Sequence, residues 1–530
     1  MSGYIGPISG YVVSNKQSIG TAAGVGDTST ATSDYSGNAS GTAGNGAAGV
    51  TGNSVSGTNG NAGMVIIRTF YDNTPPTTAP SNFATSGATG TSISATWTPA
   101  ADNGGGSGIA AYQIALGSTV GGTDYLSFAQ GSVGNVTSAT INSGFLIPAS
   151  ATIYPTIQAI DYNGNVSASV AGSSFVNSSH STGWTLATTS SGAPTGIVGE
   201  DGAAYWTGTN VLVYGGAHTD TTCSNQGGIF NPSTNTWTSM NAGANVPTGC
   251  TWSATAWTGS QLFVWGGLNS AGTHVSTGGL YNPVSDSWTA VTATNAPSGT
   301  TLYTSKAAMA GSKIVVWGAF VAAPAGSVYD PVANTWTTMS TTNAPTGNYY
   351  DSLVSLGPTV FAWGGDATGS DTATGGIYNP LTNTWTATAV SPIAARESQC
   401  SAFVNGQVFI YGGNIRGGST ALSDGALYNP ATNVWTTIST TGAPTARNLP
   451  NCAAAGNNSV VVWSGSGLNS GGIYNVLTNT WTAMSAASSP GANYGGAIST
   501  WTGSAMFLWS GSTNSGGTTT SQNGGLYIPY

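Results

Sequence analysis

The segment Gly227 to Trp237, GGIFNPSTNTW, returns as GGLYNPVSDSW, GSVYDPVANTW, GGIYNPLTNTW, GALYNPATNVW and GGIYNVLTNTW, and in shortened form as GGLYIPY at the end of the chain. From Phe230 to Tyr527 the six intervals between its aromatics span 297 residues, or 49.5 per unit. No unit of that length buries both its faces alone, so copies must stack. The period is that of one four-stranded propeller blade.

Each unit reads as four strands. Strand a is a small-residue run such as Gly202 to Gly208, strand b carries LVYGG or its variants, strand c holds G-G-[IL]-Y-N-P, and strand d holds the Trp of N-T-W-T. Strands a, b and c each occur seven times, but the last c is followed by no d; Gly183-Trp184-Thr185-Leu186 fits that pattern and lies 53 residues before Trp237. The expectation is an all-β, seven-bladed ring whose last blade is completed by the strand at Trp184, which hides edges that would otherwise pair with other chains. The diglycine after b, the aromatic of c and the Trp of d resemble the kelch repeat across this whole region.

Two segments precede the ring, giving an expected division into 1–74, 75–178 and 179–530. The first is Gly, Ala, Ser, Thr and Asn, too poor in large apolar side chains for a core of its own, and ends on a short strand, Met64-Val65-Ile66-Ile67-Arg68. It is similar to the Gly-rich tracts of phage tail-fibre and related surface proteins, and is read as an anchor to other virion or fibre proteins, with a flexible linker as the alternative. After Thr74-Pro75-Pro76 the pattern turns to short strands between turn clusters. With Trp97 as a core indole and Tyr154 near a tyrosine-corner position, this part resembles a fibronectin type III β-sandwich, a fold that commonly serves as a spacer.

Charged residues make up 4% of the 530, with 7 Lys+Arg against 16 Asp+Glu and a net charge of −9. No basic stripe exists for phosphate contact, so nucleic acid is excluded as a partner. No apolar run approaches the ~20 residues of a membrane span, so no membrane insertion is expected. The N-terminus MSGYIGPISGYVVSNKQ lacks the charged and apolar regions of a Sec signal. Combined with an outside-facing composition, this points to a virion surface or extracellular protein; a bacterial surface adhesin would need a signal upstream. Whether the chain forms a homo-oligomer is left open.

Candidate ligand residues lie where the repeats disagree. The d-to-a loops begin alike (APTG, VPTG, APSG, APTG, SPIAAR, APTAR, SPGAN) and then diverge into Glu200, Asp201, Trp252, Tyr303, Lys306, Tyr349, Tyr350, Asp351, Arg396, Glu397, Arg447 and Tyr494. Aromatics beside charged groups suit a sugar, which offers an apolar face and hydroxyls. The expected binding set is Trp252, Tyr303, Tyr349, Tyr350, Asp351, Arg396, Arg447 and Tyr494, and the partner a host cell-surface glycan or protein. For Arg396 and Arg447 a framework role competes. The only glutamates, Glu200 and Glu397, would be the acid and base of a polysaccharide lyase or hydrolase, with Arg396 and Arg447 beside them.

No cofactor or metal is expected. His180, His218 and His274 do not supply the paired ligands of a galactose-oxidase copper centre, and Asp366 and Asp371 lack EF-hand spacing and read as a solvated loop. Cys223 with Cys250, and Cys400 with Cys452, are expected to form two disulfides near the channel mouth, with four thiols as the alternative.

Overall fold

The computed structural model describes strands at 12–14 and 66–68 and then residues 72–530, except 87–91, 105, 142–151, 177–182, 195–197, 218–226, 250, 270, 298–305, 319–324, 347–348, 367–368, 417–419, 457, 493–494, 514–520, 522 and 530. Two compact units divide the chain: Met1–Ser86, Ser94–Ile141 and Ile153–Phe175 form one; Val176–Tyr530, with the short stretches Gly87–Ile93 and Asn142–Thr152, forms the other.

In the first unit, Val12–Ser14 pairs antiparallel with Ile66–Arg68. Beyond it a three-stranded sheet (Ser81–Ser86, Ile93–Thr98, Ser138–Ile141) faces a five-stranded one built on Ile109–Gly117 and Thr152–Asp161. Alternation along Ile93–Thr98 sends Ile93, Ala95 and Trp97 inward. The Trp97 ring meets Tyr112 of the other sheet at 5.2 Å, and the Tyr112 hydroxyl accepts from the Ala100 amide at 2.9 Å.

The second unit is a ring of seven four-stranded antiparallel sheets, each ordered a-b-c-d. The inner strands a are Val198–Trp206, Ala254–Trp257, Lys306–Ala310, Ser352–Ser355, Cys400–Val404, Asn451–Ala455 and Ile498–Trp501. The first is longer than its sequence suggests: it starts at Val198 and shifts register before Gly202. The seventh sheet takes Gly183–Leu186 as its outer strand, with Trp184 opposite Tyr527.

The N-x-W motif explains itself at the blade interfaces. Asn383 sits at φ 54°, a left-handed conformation that Asn tolerates better than most residues. Its Oδ1 accepts from Tyr378 Oη of its own strand c at 2.7 Å and from Ser340 N of the preceding blade at 2.7 Å. Two residues on, Trp385 Nε1 donates to Ser340 O at 3.0 Å. The indole–carbonyl bond recurs at Trp237, Trp288, Trp336, Trp435 and Trp481, each reaching the neighbouring blade. The repeated Asn and Trp are therefore stitches between blades.

Apolar strands b supply the wedge-shaped core. Trp265, Trp317, Trp363, Trp463 and Trp509 are fully buried, and each of the interior clusters joins two adjacent blades. Cys400 and Cys452, on adjacent inner strands of blades 5 and 6, are joined by a disulfide with Cα atoms 5.8 Å apart. Cys223 and Cys250 lie outside the described residues.

Candidate functional site at the channel mouth

Each inner strand pairs with the b strand of its blade through a fixed register: Ala254 opposite Trp265, Ser352 opposite Trp363, Cys400 opposite Tyr411, Asn451 opposite Trp463, Ile498 opposite Trp509. Counting back from these anchors assigns every loop residue a structural position. Three residues before the anchor, the backbone bonds to the start of the b-to-c loop: Leu268 N to Thr251 O at 2.8 Å, Asp366 N to Tyr349 O at 2.8 Å, Asn414 N to Glu397 O at 3.0 Å, Ser512 N to Gly495 O at 2.9 Å. The two loop families thus share one face.

Two residues before the anchor the chain turns left-handed in blades 2, 4, 5, 6 and 7: Trp252 (φ 57°), Tyr350 (53°), Ser398 (57°), Leu449 (54°) and Gly496 (70°). The framework asks for a residue such as Gly here, since a left-handed residue with a Cβ costs about 1–2 kcal/mol. Blades 2, 4 and 6 nonetheless carry Trp, Tyr and Leu. All five residues line a cavity of about 330 Å³ at the channel mouth, to which every one of the seven blades contributes.

Lys306, Tyr205 and Asn451 are among the other lining residues. Lys306 anchors blade 3 and is exposed, and its ammonium donates to the Asp351 carbonyl oxygen. Tyr205 donates to Thr255 O at 2.7 Å, tying blade 1 to blade 2. Burial, opposed by its bond with Thr255, pushes the Tyr205 phenol up to about 12, so it stays neutral.

The expected site residues divide sharply. Trp252 and Tyr350 reach the cavity; Tyr349 does not line it, and its ring lies 3.9 Å from that of Tyr350. Tyr303 and Tyr494 lie outside the described residues, and the side chains of Glu200 and Asp201 are not described.

For Arg396 and Arg447 the framework alternative holds over the ligand or catalytic one, because both are fully buried. Arg396 grips the Asp424 carboxylate at 2.8 and 3.0 Å and the Gly412 and Asp424 carbonyls. Arg447 holds the carbonyls of Ser464 and Ser470 at 2.9 and 2.7 Å. Each is the donor that the interior of its b-to-c loop needs.

Asp351 is likewise buried, at 1% exposure, and not among the lining residues. Burial raises its carboxyl to about 7 against the opposing pull of Lys306 and the Trp317 indole. Glu397 is turned to Asn414, and burial and the Asp371 charge raise its carboxyl above the usual range. No Asp or Glu is among the described lining residues, Glu397 included. Asp366 and Asp371 are not a solvated loop: Asp366 is buried, ion-paired with Arg416, whose amide donates to Asp371 Oδ2 at 2.6 Å.

The sequence reading missed Tyr205, Leu449 and Asn451, which hide in the small-residue pattern of strand a and its approach. It also missed Asp72, Asp102 and Asp161 in the first unit, whose carboxylates lie within 4.8 Å of one another. Their signal was the repeated Asp-Asn pair at 72–73 and 102–103 and the Asp-Tyr-Asn at 161–163. Hydrogen bonds from the Thr74 hydroxyl, the Ser107 and Thr74 amides and the Asn103 side chain hold the Asp72 carboxyl well below its usual range.

No curated protein matches this chain. Residues 303–465, from the approach to strand a of blade 3 to the diglycine-equivalent of blade 6, match the KLHDC2/KLHL20/DRC7 Kelch-repeats domain family, and the seven repeated four-stranded sheets fit the β-propeller fold of such repeats.

Proposed function

We propose that the propeller is a recognition module whose channel mouth binds a cell-surface glycan, carried by a virion fibre or decoration protein. The observation that carries this reading is the left-handed position occupied by Trp252 and Tyr350. Strained backbone that places large aromatics in an open cavity is strain retained for a purpose, and aromatic faces are what pyranose rings stack on. The strand order of the first unit supports reading it as a fibronectin type III-like spacer, and the Cys400–Cys452 disulfide suits an oxidising, extracellular setting.

A protein partner is the second reading, favoured by the kelch-family match of residues 303–465. A glycan array read for both retention and cleavage separates these. Retention without product supports recognition, product formation reinstates the lyase or hydrolase, and silence across the array leaves the protein partner.

A further inference from the structure

Five of the seven Lys and Arg lie in the propeller, and four of them are already committed. Lys313 pairs with Asp330, Arg396 with Asp424 and Arg416 with Asp366, while Arg447 is buried among carbonyls. Lys306 is the remaining one; it is exposed, lines the cavity, donates to the Asp351 carbonyl oxygen, and is near enough to act on the buried Asp351 carboxyl, which burial holds toward its neutral form. Among the described propeller residues, a cation outside those ion pairs therefore stands inside the concave site, where low-dielectric walls focus its field. Exposed charges farther from the mouth than the ~8 Å screening length are largely screened there, so they do not oppose one anionic group docking at it.

We infer that the channel mouth selects an acidic pyranose, its anionic substituent meeting Lys306 and its apolar face lying on Trp252 or Tyr350. This deepens the glycan reading and rests on it. The neighbouring lining groups, Ser398, Asn451 and the Tyr205 phenol, are neutral hydrogen-bonding partners suited to ring hydroxyls.

The test uses the full chain and two probes, an oligogalacturonate and a sialylated oligosaccharide, each beside its carboxyl-methyl ester and a neutral analogue, by calorimetric titration. At least one acid should bind ten-fold or more tightly than its ester. Lys306→Met should abolish that preference and Lys306→Arg preserve it, with melting curves confirming that both variants fold. Equal binding of acid and ester, or binding of neutral glycans alone, overturns the inference while leaving glycan recognition standing. Failure of every glycan overturns both.

Discussion

Trp184 stands directly opposite Tyr527 in the closing blade, their rings 5.3 Å apart, and packs on Trp463 of the preceding blade at 4.8 Å. One side chain thus joins the first propeller strand to the last and both to blade 6. Trp184→Ala should lower stability by about 3–5 kcal/mol, as for other buried aromatic truncations. Trp501→Ala, on a partly exposed position, should cost less than half as much; denaturant midpoints compare them.

The stitch at Asn383 combines a left-handed backbone with two accepted hydrogen bonds. Asn383→Ala loses both bonds, and with them the one that Nδ2 donates to Thr338 O at 3.2 Å, and adds strain, for about 2–3 kcal/mol. Asn383→Gly relieves the strain alone and should fall measurably less. Equal losses in chemical denaturation would show that the backbone conformation contributes nothing.

Reducing Cys400–Cys452 frees a loop with a sequence separation of 52 residues. Chain entropy assigns such a crosslink about 4 kcal/mol. The melting temperature should drop in reductant, and the Cys400→Ala/Cys452→Ala double variant should melt near the reduced protein and be insensitive to reductant at this bridge.

Asp351 gives stability a definite pH slope. Its folded value, about 7, lies above the 3.8 of the free group, so the folded state holds a proton that the unfolded chain has released between those values. Stability from this group is present at the acid end and declines as pH rises from ~4 through ~7. Asp351→Asn should flatten that slope and be more stable than wild type at pH 8 by up to a few kcal/mol. Thermal melts at pH 5 and pH 8 provide the comparison; an unchanged slope would show that the carboxylate is stabilised in place.

The ring was legible because its determinants are local and repeated: Asn where the turn is left-handed, Trp two residues on, Gly where strand c meets a neighbour's indole. At Gly376 an added Cβ would fall 2.9 Å from the Trp385 ring. The site was legible only in part. Trp252 and Tyr350 stood out as departures from the repeat, but so did Arg396, Arg447 and Asp351, which point into the protein. What separates them is position relative to the anchor pair: Trp252 and Tyr350 stand two residues before it and line the cavity, whereas Asp351, one residue before, and Arg396 and Arg447, four before, are buried. Arg396 is needed by carbonyls at Gly412 and Asp424, and no local pattern announces a partner that far along the chain.

The central claim is that a framework position suited to glycine has been given over to ligand-binding aromatics. Trp252→Gly and Tyr350→Gly, each assayed for stability and for retention on a glycan array, test it most directly. Relief of ~1–2 kcal/mol of left-handed strain should offset the lost contacts, leaving stability within about 1 kcal/mol of wild type, while glycan binding falls at least ten-fold. Undiminished binding, or a loss of 3 kcal/mol or more in stability, would contradict the account and make the two aromatics part of the framework.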